Sequence, residues 1–247
     1  MNKLEDIIQG RALPDGLSDI QNGMADIEHH MLHFLDNHDE QRLASPEFAG
    51  TPQKGKPLMV VSTTISTSPT MVYFGQEVGE AGNENAGFGT HSRTSIFDYI
   101  GVPNHQRWMN GGKFDGGQLT QEEKELRDFY KRILNFSLNS TALMGEYQEI
   151  QTVNRQTTQG YDPGIYAFTR WSDTQKLVIV TNFSWLSTSN FELKIPSEII
   201  RKWNLKDGNY TVTDQLYNKS SVQLQVLNGE GKAQITIAPS ESFIYQL

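Results

Sequence analysis

A chain of 247 residues can hold one large domain or two smaller ones, and with 36% hydrophobic and 20% charged residues it reads as an ordinary, somewhat polar globular protein. A formal net charge of −8, with no Lys/Arg cluster, argues against nucleic acid and anionic membranes as partners. The absence of cysteine excludes disulfides, thiolate metal sites and a cysteine nucleophile.

No apolar run is long enough to cross a bilayer. The first residues, MNKLEDIIQG, lack the basic stretch and apolar core of a secretory signal, which leaves the compartment of any longer parent open, with secretion or the periplasm both compatible. The same residues place Leu4, Ile7 and Ile8 at helical spacing, and a turn follows at Pro14-Asp15-Gly16. The spacing predicts a second helix over 19–30. After it the apolar run Met31 to Leu35 reads as a strand that stops in Asp36-Asn37-His38-Asp39-Glu40. A short apolar strand emptying into a polar cluster is how an α/β sheet presents an active-site edge.

KPLMVVSTTISTS, residues 56–68, is rich in β-branched residues and by propensity would be strand. Its length, Pro57 at its start and the strand-like TMVYFG after it leave room for a buried helix, the assignment adopted here on the family order described below. Thr70 to Phe74 is the next expected strand, ending in Gly75-Gln76-Glu77. Residues 79–120 are rich in Gly and Asn without a clear period and read as a long irregular loop. Thr120-Gln121-Glu122-Glu123 is a capping box, and Leu126, Phe129, Tyr130, Ile133 and Leu134 form one stripe on the helix it opens.

From about residue 144 the character changes to short β-rich segments divided by turn residues: GIYAFTR, KLVIVTNF, FELKI, NYTVTDQL, AQITIA and SFIYQL. Such spacing predicts an antiparallel sandwich or barrel of about 100 residues.

Two polar constellations carry candidate chemistry. His29 and His33, at i and i+4, would chelate a metal if helix ran through both, but Met31 to Leu35 reads as strand, and surface histidines account for the cluster without a metal. The other is FLDNHDEQR, residues 34–42. Glycoside hydrolysis passes through an oxocarbenium-like transition state that a carboxylate stabilises, and a histidine beside it can donate to sugar hydroxyls. A hydrogen-bonded loop at a strand end explains the same residue types.

FLDNHDEQR resembles the fourth conserved segment of the alpha-amylase family of glycoside hydrolases, at the end of barrel strand seven. About thirty residues on, SPTMVYFGQEVGE resembles the segment at barrel strand eight, through Pro69, Tyr73, Gly75 and Glu77. A long glycine-rich loop, a closing helix and a β domain follow in the order in which this family ends. The resemblance implies an incomplete (β/α)8 TIM-barrel segment, strands seven and eight with flanking helices, over residues 1–143, and an antiparallel β-sandwich over 144–247, giving an α/β plus all-β chain.

By the same resemblance Asp39 is the catalytic carboxylate that grips sugar hydroxyls and stabilises the transition state. His38 bonds the same sugar, Asn37 holds the turn, Arg42 reaches toward substrate, and Tyr73 and Glu77 shape the strand-eight end. Trp108 and Phe88 are candidate stacking residues. The implied ligand is an α-glucan, starch or a maltooligosaccharide. No cofactor is implied for these residues, and calcium stays open for a full-length parent, because the usual site in this family draws on an earlier domain.

The family's nucleophile and general acid lie well before the Asn-His-Asp segment, yet only 36 residues precede Asn37 and none resembles either. A retaining pair stands about 5 Å apart across the bond, so Asp39 cannot replace both. The resemblance therefore implies a fragment that is inactive alone. Its residues 1–143 would be loose, or paired with the missing N-terminal part of the barrel. Two alternatives stay open: a carbohydrate-binding module with Tyr161, Trp171, Trp185 and Trp203 as platforms, and a metal-dependent hydrolase on the histidine cluster.

Overall fold

The computed structural model describes residues 2–82, 92–94, 102–218 and 220–247. Helix α1 (Asn2–Ile8) buries Leu4, Ile7 and Ile8, as their spacing demands. Helix α2 (Gly16–Gly23) begins earlier and stops sooner than the periodicity predicts. A 3-10 turn over Glu28–His30 takes up what remains before the chain extends. Gly23 is a poor helix interior residue, and the exposed Ile27 gives the second half no apolar face to bury.

The two expected strands, 31–35 and 70–74, reduce to a single parallel bridge between His33 and Thr70. The His33 amide donates to the Pro69 carbonyl at 2.9 Å, and the Met71 amide donates to the His33 carbonyl at 2.8 Å. Parallel strands are stable when flanked and covered on both sides. Here each segment has one neighbour among the described residues.

Between them, α3 (Lys56–Thr64) is helical despite its β-branched composition. Burial decides the matter. Every residue from Pro57 to Thr64 is buried, Pro57 occupies the first turn where its missing N–H costs nothing, and the Thr63 and Thr64 hydroxyls donate to the Met59 and Val60 carbonyls at 2.7 and 2.6 Å. The glycine-rich loop contains one more short helix, α4 (Pro103–Met109), again opened by proline. Helix α5 (Gln121–Asn139) carries its capping box: the Glu123 amide donates to Thr120 Oγ1 at 3.2 Å and the Thr120 amide to Glu123 Oε2 at 2.9 Å. Its stripe of Leu126, Phe129, Tyr130 and Ile133 is buried.

The remainder is β1 (Glu146–Glu149), α6 (Gln151–Thr157), β2 (Ile165–Trp171), β3 (Lys176–Asn182), β4 (Ser189–Ile195), α7 (Ser197–Lys202), β5 (Gly208–Asp214), β6 (Ser221–Leu227), β7 (Glu230–Ile237) and β8 (Ser242–Gln246). In place of the expected two-sheet sandwich there is one eight-stranded antiparallel sheet, ordered β1-β2-β3-β8-β5-β6-β7-β4, curled around its own core. Helix α6 bridges edge strand β4 to β2: the Asn154 side chain donates to the Lys194 carbonyl at 2.8 Å and accepts from the Lys194 amide at 2.9 Å, acting as a substitute strand for that edge.

The central strands are buried on both faces. Ile165, Ala167, Val178, Val180, Phe243 and Tyr245 face the inside of the curl. Tyr166, Phe168, Leu177, Ile179 and Ile244 face the other way, into a core shared with Leu58, Met59 and Val61 of α3 and Phe129 and Ile133 of α5. The N-terminal half is thus packed onto the outer face of the sheet rather than loose. Ser18 Oγ lies 3.1 Å from the Tyr166 hydroxyl, and Arg155 pairs with Asp15 at 3.2 Å.

Arg170 closes the junction. It is fully buried, makes no ion pair among the described residues, and donates to the carbonyls of Ile65 (2.6 Å), Ala142 (3.4 Å), Gly145 (3.2 Å) and Leu143. Burial lowers its pKa to about 10, so it stays charged at neutral pH. Arg170→Leu removes this clamp and leaves buried carbonyls unpaired. The expected loss is about 3 kcal/mol, a fall of roughly 6–12 °C in the unfolding midpoint measured by calorimetry. An unchanged midpoint would refute the clamp.

Candidate active site

The extended segment 31–35 runs into the interior and then turns out to the surface. Leu35 and Asp36 are buried, and Asp36 Oδ2 accepts from the Leu43 amide at 2.9 Å, pinching the chain so that residues 37–40 project. Asn37 Oδ1 accepts from the Asp39 amide at 2.7 Å and the Glu40 amide at 3.0 Å, an Asx turn that fixes the projection. At its crest, His38 Nε2 lies 3.3 Å from Asp39 Oδ2, with side chains 45% and 73% exposed. Asp39 therefore presents its carboxylate to solvent beside a ring nitrogen.

Arg42 supports the turn from beneath. Its side chain is fully buried, so the guanidinium faces inward, away from any surface ligand. It donates to Thr94 Oγ1 at 3.0 Å and to the Phe74 carbonyl at 2.7 Å, lies 4.8 Å from the Tyr73 ring centroid, and stands 3.3 Å from Asp36 Oδ2. Its own amide donates to the Ser92 carbonyl at 2.6 Å. One side chain thus ties the turn to residues 73–74 and 92–94. Tyr73 donates to the Thr94 carbonyl at 3.4 Å, and burial raises its phenol pKa.

Glu77 sits half-buried in a 3-10 turn over Gln76–Val78, bounded by Gly75 (φ 82°) and Gly79 (φ 77°). Left-handed backbone at both ends makes glycine the fitting residue at each. The Glu77 charge opposes ionisation of Asp36. Glu80, not singled out from the sequence, is buried and accepts from the Gly82 and Asn104 amides at 3.0 and 3.1 Å, anchoring this end of the loop. Asp36 and Thr94 were likewise missed. The signal for Asp36 was a charged residue directly after an apolar run, six positions before an arginine; Thr94 carried none.

Trp108 packs among His105 (5.6 Å), Phe114 (5.7 Å) and Arg127 (5.4 Å), so its ring is engaged by side chains. Phe88 lies outside the described residues. The histidine cluster does not assemble for a metal: the 3-10 turn ends at His30, and His33 Nδ1 is 2.8 Å from the Ser62 carbonyl. Among the described residues no three potential ligands come together.

Burial dominates at Asp36 and raises its pKa despite Arg42 beside it. The folded state therefore holds that proton more tightly than the unfolded chain does. Its contribution to stability is greatest below the ordinary aspartate value of about 4 and falls as pH rises from there through the folded value. Asp36→Asn keeps the acceptor for Leu43 but cannot titrate. Denaturant unfolding of both proteins across this range should show the wild-type stability falling relative to the variant as pH increases; a constant difference would contradict the assignment.

No family model matches the chain, and no curated protein matches it. Solved structures do match. The whole chain aligns with a noncanonic maltogenic alpha-amylase of Thermotoga neapolitana at TM-score 0.65 and 14% identity, covering 48% of that chain. It aligns equally completely with an Anoxybacillus alpha-amylase at TM-score 0.62 and 16% identity, covering 45% of that one. With an AmyP variant in complex with maltotriose the TM-score is 0.63 at 18% identity, covering 96% of this chain and 45% of the other. The chain spans about half the length of these structures. It shares the fold of the part of each that it covers.

Proposed function

We propose that this chain is the C-terminal part of an alpha-amylase-type glycoside hydrolase that cleaves α-glucosidic bonds in starch or maltooligosaccharides with retention of configuration. Residues 1–143 would contribute strands seven and eight of a catalytic barrel, and residues 144–247 the C-terminal β domain. The observation that carries this reading is the exposed Asn-His-Asp turn at the end of a segment paired in parallel with residues 69–71, in a chain whose whole length has the fold of amylase structures.

In this reading Asp39 grips the hydroxyls of the sugar being cleaved and stabilises the oxocarbenium charge, while His38 donates to the same ring. Asn37 holds the turn. Arg42 acts as a positioning residue through Asp36, Thr94 and the Phe74 carbonyl, and Tyr73 is the platform for its guanidinium. Glu77 adds negative potential on the strand-eight side. The nucleophile and general acid come from polypeptide outside these residues. The open side of segment 31–35 supports that view: the Leu32 and Phe34 backbone groups make no hydrogen bond among the described residues, beside an apolar cleft of about 340 Å³ lined by Leu4, Leu17, Ile20, Met24 and Met31. A neighbouring strand would satisfy the first and cover the second.

The 247-residue chain alone should release no reducing sugar from maltoheptaose. Sustained release abolished by Asp39→Asn would show that acid and nucleophile lie within it and would overturn the fragment reading. In a polypeptide that supplies the two missing carboxylates, Asp39→Asn should lower kcat by roughly 10²–10³-fold with a smaller change in KM. An unchanged kcat would remove Asp39 from the reaction.

A further inference from the structure

Of the four aromatic residues offered by the β domain as platforms, three are interior: Tyr161, Trp171 and Trp203 are buried against the sheet. Trp185, in the turn between β3 and β4, is 51% exposed. Lys54 Nζ sits 3.8 Å from its ring centroid and occupies one face, so the free area of the indole is the opposite face and its rim. The ring borders a cleft of about 280 Å³ whose lining includes Leu13, Pro14, Pro163, Gly164 and Phe183. That volume lies at the small end of ligand pockets, roughly 300 Å³ and upward.

The loop that carries Trp185 is held in place by bonds from the Ser184 and Asn182 side chains to its backbone. Ser184 Oγ accepts from the Leu186 and Ser187 amides at 3.3 and 3.1 Å, and the Ser184 carbonyl accepts from the Ser240 amide at 2.9 Å. Asn182, fully buried, accepts from the Ser184 amide at 2.9 Å and donates to the Ser187 and Ala238 carbonyls at 2.9 and 3.0 Å. A large apolar ring kept half in water on a loop this well bonded is costly to solvate and cheap to dock against, since little ordering remains to be done on binding. A pyranose suits such a surface. Its C–H face meets the electron-rich indole face while its hydroxyls stay in water at the rim.

We propose that Trp185 and the cleft beside it form a second α-glucan-binding site, separate from the Asn37–Asp39 turn, which holds a chain of the substrate without cleaving it. The α-glucan specificity rests on the function proposed above; the platform itself rests on the exposure and bonding of Trp185.

Calorimetric titration of the 247-residue protein with maltoheptaose, and in parallel with cellohexaose, tests it. Maltoheptaose should bind, Trp185→Ala should weaken binding at least about tenfold, and Trp185→Phe should keep most of it because a flat ring remains. Leu138→Ala, an exposed position near the end of α5, should leave the affinity unchanged, and all variants should unfold at the wild-type midpoint. Binding lost in Asp39→Asn and kept in Trp185→Ala would place the sugar at the turn, overturning the second site while sparing the α-glucan reading. Trp185-dependent binding of cellohexaose in place of maltoheptaose would overturn the α-glucan assignment while sparing the platform. No binding of either sugar would overturn the site.

Discussion

The ion pair of Asp36 and Arg42 is the constraint on which the candidate site depends. Neither side chain is exposed, and each makes bonds beyond the pair: Asp36 to the Leu43 amide, Arg42 to Thr94 and to the Phe74 carbonyl. Burying two charges is expensive, and such a pair is weak evidence for added stability. Its consequence is geometric. Removing either partner would strand the other charge in the interior, so the three segments that meet there keep one arrangement. The Asx turn of Asn37 then projects His38 and Asp39 into water from a fixed base, an accessible carboxylate on an immobile support.

That base is in turn mounted on the sheet. Because the central strands bury both faces, the outward residues Tyr166, Phe168, Leu177 and Ile179 act as a floor for α3 and α5, and α3 lies between the two segments that carry the turn and Glu77. The Arg170 clamp on four carbonyls and the Ser18–Tyr166–Tyr147 hydroxyl chain add polar links across the same junction. The N-terminal half is therefore held by the β domain at one side and open at the other, along segment 31–35.

Much of this was legible in the residues, for identifiable reasons. The capping box at Thr120 and Glu123 and the stripe after it are local signals, and α5 begins and packs where they indicate. Six of the eight strands follow from alternation and turn residues; β6, SVQLQVL, carries the same signal in Val222, Leu224 and Val226, whereas the short β1 has one apolar residue, Tyr147, and no alternation to read. Sandwich and curled single sheet share one periodicity, and only the pairing of β8 with both β3 and β5 distinguishes them. The strands expected at 31–35 and 70–74 failed because strand formation needs neighbours that periodicity cannot count. At the site, Asn37, His38 and Asp39 share one turn, bonded through Asn37 Oδ1. Arg42 points inward, a direction its position in FLDNHDEQR does not encode, and Thr94 joins it from 52 residues away.

The most direct measurement is amide hydrogen exchange at Asp39, Glu40 and Leu43 in the wild type and in Arg42→Met. If the buried pair holds the turn, the substitution should speed exchange at these three amides by about tenfold or more, while the amides in the middle of α5 keep their protection. Unchanged exchange at all three would mean that the turn stands by its own local bonds, and the proposed support beneath Asp39 would be contradicted.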